Sequence, residues 1–229
     1  MSKINHWLRY RKILHGHRNW SSKEVMLWEA SRIGYVMEME KQIFSELLGD
    51  QEGLTLEVAC GTSRFSDLFN EDKYVGLDFS AAMLKLAKHK YPKQQYVKAS
   101  AFHLPFQEGV FKIVFASRFV HHYDSIIKQF FSEAKRVSIG VLLFDISRRN
   151  SLFQLAIKLS GMKGFGRNLS VVSSEMDGLG LEVSMYARFF FLPSMLYCFL
   201  PSRVFEALDR IISRFLPSRC FMITRKVQR

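Results

Sequence analysis

The sequence predicts an α/β domain built on a parallel sheet with crossover helices, and three observations lead there. From residue 54 onward, short apolar runs of strand length alternate with stretches of helical spacing, the pattern of successive βαβ units. The 229 residues are 48% hydrophobic, 14% aromatic and 24% charged, a balance that supports one substantial core and excludes a disordered tail, a collagen or a coiled coil. The small-residue stretch ACGTS directly follows the first apolar run and opens a helical one, so backbone N–H groups there can approach a ligand closely.

Taken in order, the strands fall at LTLEVA (54–59), KYVGLD (73–78), QYVKA (95–99), FKIVFAS (111–117), IGVLLFD (139–145), LEVSMYARFFF (181–191) and RCFMITRKV (219–227). Between them the spacing predicts helices over 63–70, 80–91 and 123–137, with Ser80 as the N-cap of the second. Ahead of the sheet, 22–48 reads as a helix with a broad apolar face that includes Val25, Trp28, Ile33, Val36, Met37, Ile43, Phe44 and Leu47, and 5–15 as a shorter one. Near the end, 203–216 is amphipathic, with Phe205, Leu208, Ile211, Ile212 and Phe215 at three- and four-residue spacing. No internal repeat or low-complexity linker interrupts the chain.

Three widely spaced cysteines (Cys60, Cys198 and Cys220) form neither a disulfide framework nor the paired spacing of a zinc site, so no metal is expected and a reducing compartment is. The N-terminus lacks an apolar run of signal-peptide length, and the most hydrophobic stretch, 189–201, is broken by Pro193 and Pro201. The expectation is a cytoplasmic protein with peripheral contact to an anionic membrane left open. The net charge of +12 is unevenly placed. Residues 1–20 carry five bases and no acid, 148–168 again five and none, and 203–229 seven against Glu206 and Asp209, whereas 21–147 hold 15 bases and 16 acids. Each basic segment also carries large aromatics, a mixture that suits an anionic amphiphile, a lipid surface or nucleic acid, and equally a merely soluble surface.

The turn gains meaning from Asp78, which ends the second strand about 20 residues further on, where a carboxylate can accept both hydroxyls of a ribose. Strand, turn and acid together describe a nucleoside pocket. The phosphate-binding pattern GxxxxGK[ST] and the dinucleotide pattern GxGxxG are both absent.

Four stretches in order, LEVACGTSR, YVGLDFSAAML, KASAFHLPFQEGVFKIVFASRFVHHY and FFSEAKRV followed by VLLFD, resemble the class I, seven-stranded S-adenosylmethionine-dependent methyltransferases, in particular the small-molecule branch of ubiquinone and menaquinone C-methyltransferases. The likeness covers 54–146 by motif and the rest by element order. It implies a Rossmann-like, mostly parallel sheet of seven strands with an antiparallel last strand and helices on both faces. Residues 1–48 would be an added N-terminal helical lid, 49–229 the methyltransferase domain, and 147–172 a substrate-side insertion within it. S-adenosylmethionine is the implied cofactor. By the same resemblance Glu57 fixes the methionine amino group, Ala59, Gly61 and Ser63 form the turn, and Asp78 holds the ribose. Phe79 and Met83 flank the adenine, Ser100, Ala101 and Phe102 form the loop beside it, and Ser117 with Arg118 lies by the methionine portion.

The chain departs from the family where Ser63 replaces a glycine, where Ser100 replaces an acid that accepts from the adenine amino group, and where no Pro-Gly-Gly precedes the fifth strand. A serine at positive φ costs about 1 kcal/mol, and the missing acid removes a charged hydrogen bond of roughly 1.5 to 3 kcal/mol. Methyl transfer chiefly requires alignment. Where the acceptor must lose a proton, His121, His122 and Tyr123 are the candidates just past the fourth strand, with Asp145 on the same rim. The basic, aromatic flanks suggest a small or lipid-like acceptor, apolar with an anionic part. RNA or protein methylation, and a non-catalytic protein of the same fold, stay open as alternatives, and nucleic acid remains a candidate partner.

Overall fold

Side chains alternate between the two faces of a strand, and along the central strands of this chain both sets are buried. Ile113, Phe115, Val141 and Leu143 enter one core with Phe44, Phe65 and Tyr74, while Val114, Ala116, Leu142, Phe144 and Ile146 enter the other with Phe130 and Phe131. Such double burial demands helices on both sides of the sheet. The computed structural model describes residues 34–49, 52–123, 126–147, 168–189, 211–212 and 219–226. Its strands are β1 (Thr55–Val58), β2 (Tyr74–Asp78), β3 (Gln95–Lys98), β4 (Phe111–Ala116), β5 (Ser138–Ser147), β6 (Leu181–Phe189) and β7 (Arg219–Lys226). They form one sheet in the order β3-β2-β1-β4-β5-β7-β6. Strands β1 to β5 pair in parallel, and β7 runs antiparallel between β5 and β6, as the sequence led us to expect.

The order steps outward from β1 through β2 to β3 on one side, and from β4 to β5 on the other. The strand order therefore reverses between β1 and β4, and the crevice for a ligand lies at the carboxyl ends of those two strands.

Helix α1 (Gly34–Leu48) places Phe44, fully buried, against Phe65 and Phe115 at ring-centroid distances of 4.8 and 4.6 Å; burying such a ring contributes roughly 1.5 to 3 kcal/mol. Helix α2 (Ala81–Lys90) is capped by Ser80, whose hydroxyl accepts from the Met83 N–H at 3.3 Å. Helix α3 (Ile127–Val137) buries Ile127, Phe130, Phe131, Ala134 and Val137, a stripe of three- and four-residue steps facing the sheet.

Two elements differ from the sequence reading. Residues 63–70 do not form an α-helix but a series of tight turns ending in a 3-10 turn at Ser66–Leu68. Bonds run from Ser66 N to Ser63 O, Leu68 N to Phe65 O and Phe69 N to Ser66 O, all closing over three residues. The Ser66 carbonyl is also taken by the buried Gln94 side chain at 3.1 Å, which pins the tighter geometry. Conversely, α4 (Leu169–Asp177) is a helix that the serine- and valine-rich sequence LSVVSSEMD did not announce. Asn168 caps it by accepting from Ser170 N at 3.4 Å, and burial of Val172 and Met176 holds it on the sheet. The expected helix at 5–15, the basic segments 1–20 and 148–167, and most of 203–216 lie outside the described residues. Among the described residues no helix is long and apolar enough to cross a membrane.

Candidate functional site

The turn after β1 leaves its strand in an alternating pattern. Ala59, Gly61 and Ser63 all have positive φ, near 55°, so every second residue is left-handed and the chain doubles back at the sheet's carboxyl edge. Two of the three carry a Cβ, and each such residue costs about 1 to 2 kcal/mol of backbone strain. Gly61 is the position where glycine serves best: its φ is +56°, and a Cβ there would meet nothing nearer than Met83 Sδ at 4.0 Å. That leaves the edge of the turn open toward a ligand.

Asp78 fastens this turn from the end of β2. Its Oδ2 accepts from Gly61 N at 2.9 Å and its Oδ1 from Ser80 N at 2.8 Å. Each oxygen keeps a further lone pair for an outside donor. Burial pushes the carboxyl above its ordinary value, while the backbone N–H groups of Ser80, Gly61 and Phe79 act in the opposite sense. Next to it the Phe79 ring is 67% exposed, an unusual position for a large aromatic beside a half-buried acid. Met83 is buried at the start of α2.

Glu57, on β1, is 2% exposed and accepts from the Tyr74 hydroxyl. Ser63 Oγ lies 3.1 Å from that hydroxyl, and since the tyrosine proton goes to the carboxylate, the serine is the donor there. Burial, followed by the nearby Glu57 charge, raises the Tyr74 phenol well above its usual value. Burial likewise raises the Cys60 thiol, with Asp78 and Glu57 adding to it, so Cys60 is an inert core thiol.

The loop after β3 is built by its own residues. Ser100 Oγ accepts from Phe102 N at 3.2 Å and Ser100 O from His103 N at 3.2 Å, so the hydroxyl standing in the acid's place is used on the backbone. Ala101 is buried, and Phe102 packs at 5.9 Å from Phe119 and 5.1 Å from Tyr123 between ring centroids. Arg136 of α3 holds the loop further along, donating to the carbonyls of Leu104 at 2.9 Å and Phe106 at 2.7 Å. Ser117 and Arg118 end β4; the Ser117 hydroxyl accepts from Arg64 Nη2, and Arg118 has φ +58°.

Residues 56–143 match the family described as the methyltransferase domain. Residues 56–143 thus carry a methyltransferase domain. The chain is 32% identical over 126 residues to malonyl-[acyl-carrier protein] O-methyltransferase of Hamiltonella defensa, covering 52% of this chain and 48% of the relative. It is 31% identical over 102 residues to demethylmenaquinone methyltransferase of Lactococcus lactis, covering 38% and 40%. The chain thus spans about half the length of the curated relatives it matches. Among solved structures, phosphoethanolamine N-methyltransferase 2 of Haemonchus contortus with S-adenosyl-L-methionine superposes with a TM-score of 0.65 at 14% identity, over 96% of this chain and 60% of that one. A SAM-dependent methyltransferase of Thermotoga maritima gives 0.64 at 16%, over 96% and 99%.

Within the methyltransferase domain the structure brings Glu57, Ala59, Gly61, Ser63, Asp78, Phe79 and Met83 around one turn at the ends of β1 and β2. Ser100, Ala101 and Phe102 flank it on the β3 side, and Ser117 on the β4 side. His121 and His122 occupy a 3-10 turn, Val120–His122, beyond β4; the His122 ring is half-buried, and the His121 side chain lies outside the described residues. Asp145 is fully buried and accepts from the Arg118 N–H, a position in the sheet and not on the rim. The sequence reading missed Tyr74, Arg64 and Glu40. Glu40 had a visible signal, being the one acid placed among Met37, Ile43 and Phe44 on the apolar side of its helix.

Proposed function

We propose that this protein transfers a methyl group from S-adenosylmethionine to a small or amphiphilic acceptor carrying an anionic part. One observation carries the cofactor reading: Asp78, at the end of β2, binds the left-handed turn through Gly61 while keeping acceptor capacity on both oxygens, beside the exposed ring of Phe79. Those residues fit an adenosine. The carboxylate would accept the two ribose hydroxyls, Phe79 and Met83 would lie against the adenine faces, and Glu57, steadied by Tyr74, would face the amino group of the methionine end. Bound there, the cofactor supplies an electrophilic methyl group, so alignment is the protein's main task.

The ends of β4 and β5 face the acceptor side in this reading. His121 and His122, in the turn after β4, would take a proton from an acceptor that must lose one, because imidazole titrates near neutrality. The basic, aromatic segments 1–20 and 148–168 would contact the acceptor's anionic part or an anionic membrane surface. Two curated relatives are named for a malonyl-acyl-carrier substrate and for demethylmenaquinone, which directs the first trials to an acidic thioester and a quinone precursor. Mass spectrometry of ligands released from the purified protein is the test. S-adenosylmethionine or its demethylated product beside an apolar acid supports the reading; RNA retained in a salt-sensitive way would redirect it to nucleic acid, and a protein that binds no adenosyl ligand at all would overturn it.

A further inference from the structure

Glu40 of α1 is 1% exposed, and its two carboxylate oxygens serve different arginines. Its Oε2 accepts from Arg64 Nη1 at 2.5 Å, and its Oε1 from Arg118 Nη2 at 2.7 Å and Arg118 Nε at 3.2 Å. Arg64 goes on to donate from Nη2 to Ser117 Oγ, its guanidinium lying 4.6 Å from the Phe65 ring centroid. The backbone N–H of Arg118 donates to Asp145 of β5. One carboxylate thereby joins α1, the turn after β1 and the end of β4, with β5 behind. A carboxylate this deep is retained only with its partners in place, since removing one side of a buried ionic cluster leaves uncompensated charge.

The location gives the cluster a role. Strand β2 bears Asp78, β3 lies outward of it, and β1 and β4 lie inward. With the ribose at Asp78 and adenine toward β3, the amino-acid end of an adenosyl ligand extends across the β1–β4 crevice. Arg64 directly follows left-handed Ser63, and Arg118 is itself left-handed. These two strained segments are the walls of that crevice, and Glu40 is the group that ties one to the other.

We infer that Glu40 is a positioning residue of the cofactor site, fixing through Arg64 and Arg118 the spacing that receives the amino-acid end of the ligand. The inference rests on the S-adenosylmethionine reading above. It makes α1 part of the frame of the site, acting on one end of the ligand and leaving the adenosine end alone.

The test compares S-adenosylhomocysteine with adenosine, by calorimetry on the full chain, for the parent, Glu40→Gln and Glu40→Asp, with the ligand-free thermal midpoint recorded for each. Glu40→Gln should weaken S-adenosylhomocysteine by about ten-fold or more while adenosine stays within about two-fold. Glu40→Asp, which keeps the charge on a shorter arm, should recover part of that loss. A purely structural contact would lower the midpoint and either spare both ligands or weaken both by the same factor; either pattern overturns the inference. Should Glu40→Gln fail to fold, the ratio between the two ligands in Glu40→Asp decides in the same way. A parent protein that binds neither ligand overturns the cofactor reading and the inference with it, whereas a parent that binds both, with a variant indistinguishable from it, overturns the inference alone.

Discussion

The Tyr74 hydroxyl donates to the Glu57 carboxylate across β1 and β2 and receives Ser63 Oγ at 3.1 Å. Both side chains are buried, and their strands pair in parallel with Glu57 opposite Gly76. A carboxylate at the end of a buried strand could adopt several rotamers; this bond selects one and aims its other oxygen. Tyr74→Phe should therefore destabilise the fold by about 1.5 to 3 kcal/mol, the worth of a hydrogen bond to a charged group, and weaken S-adenosylhomocysteine as well. Urea unfolding and calorimetry check the two effects. Unchanged ligand affinity would show that Glu57 needs no orienting partner.

The turn after β1 makes a paired prediction, because Ala59 and Ser63 share the left-handed conformation but not the same contacts. Ala59→Gly relieves about 1 to 2 kcal/mol of strain and gives back about 0.4 to 1 kcal/mol through a more flexible unfolded chain, so a modest net stabilisation is expected. Ser63→Gly gains the same relief but forfeits the bond to Tyr74, worth about 1 kcal/mol, and should gain nothing. Midpoints of urea unfolding that rank Ser63→Gly above Ala59→Gly would contradict this account.

Much of this architecture was legible in the residues. The seven apolar runs became strands within one or two positions; in the central strands burial on both faces writes a continuous apolar signal, and Ser80 capped its helix because capping depends on neighbours three residues apart. What the sequence concealed depends on distant partners. The turns at 63–70 are set by Gln94, which reaches the Ser66 carbonyl from 28 residues away. No local pattern shows Tyr74 meeting Glu57, or Arg64 meeting Ser117. Helix α4 forms because Val172 and Met176 find the core, overriding weak local propensity. The residues of the candidate site were named from motif, but the network that fixes them was not.

The loop after β3 depends on α3. Glu133 accepts from Leu104 N at 2.8 Å and from Arg136, whose guanidinium spans the Leu104 and Phe106 carbonyls. The hydrogen bond from Arg136 holds the Glu133 carboxyl below its ordinary value, burial acting against it. A depressed acid contributes stability that is present above its unfolded value and lost as pH falls through the folded one. Arg136→Met should remove two loop bonds, costing about 1 to 3 kcal/mol, and should flatten that acid-side loss. Hydrogen exchange at residues 100–106 should quicken in the variant; protection equal to the parent's would mean that Phe102 and its aromatic neighbours hold the loop unaided.

Asp78 titrates in the opposite sense, and this separates folding from binding. Burial raises its carboxyl above the ordinary 3.8, so the native state holds that proton more tightly than the unfolded chain does. Its contribution to stability is then fully present below 3.8 and is lost as pH rises through the folded value. A ribose reverses the preference, because its two hydroxyls donate to the ionised form and draw the carboxyl back down. Affinity for S-adenosylhomocysteine should therefore increase as pH rises through the raised value of Asp78 and level off above it, with proton release on binding in that window. Asp78→Asn, which cannot ionise, should bind more weakly by roughly 1.5 to 3 kcal/mol at neutral pH and lose this part of the pH dependence. Calorimetry in buffers of different ionisation enthalpy measures both quantities together. A parent and variant with parallel pH profiles would remove Asp78 from contact with the ribose, whatever the neutral-pH affinities prove to be.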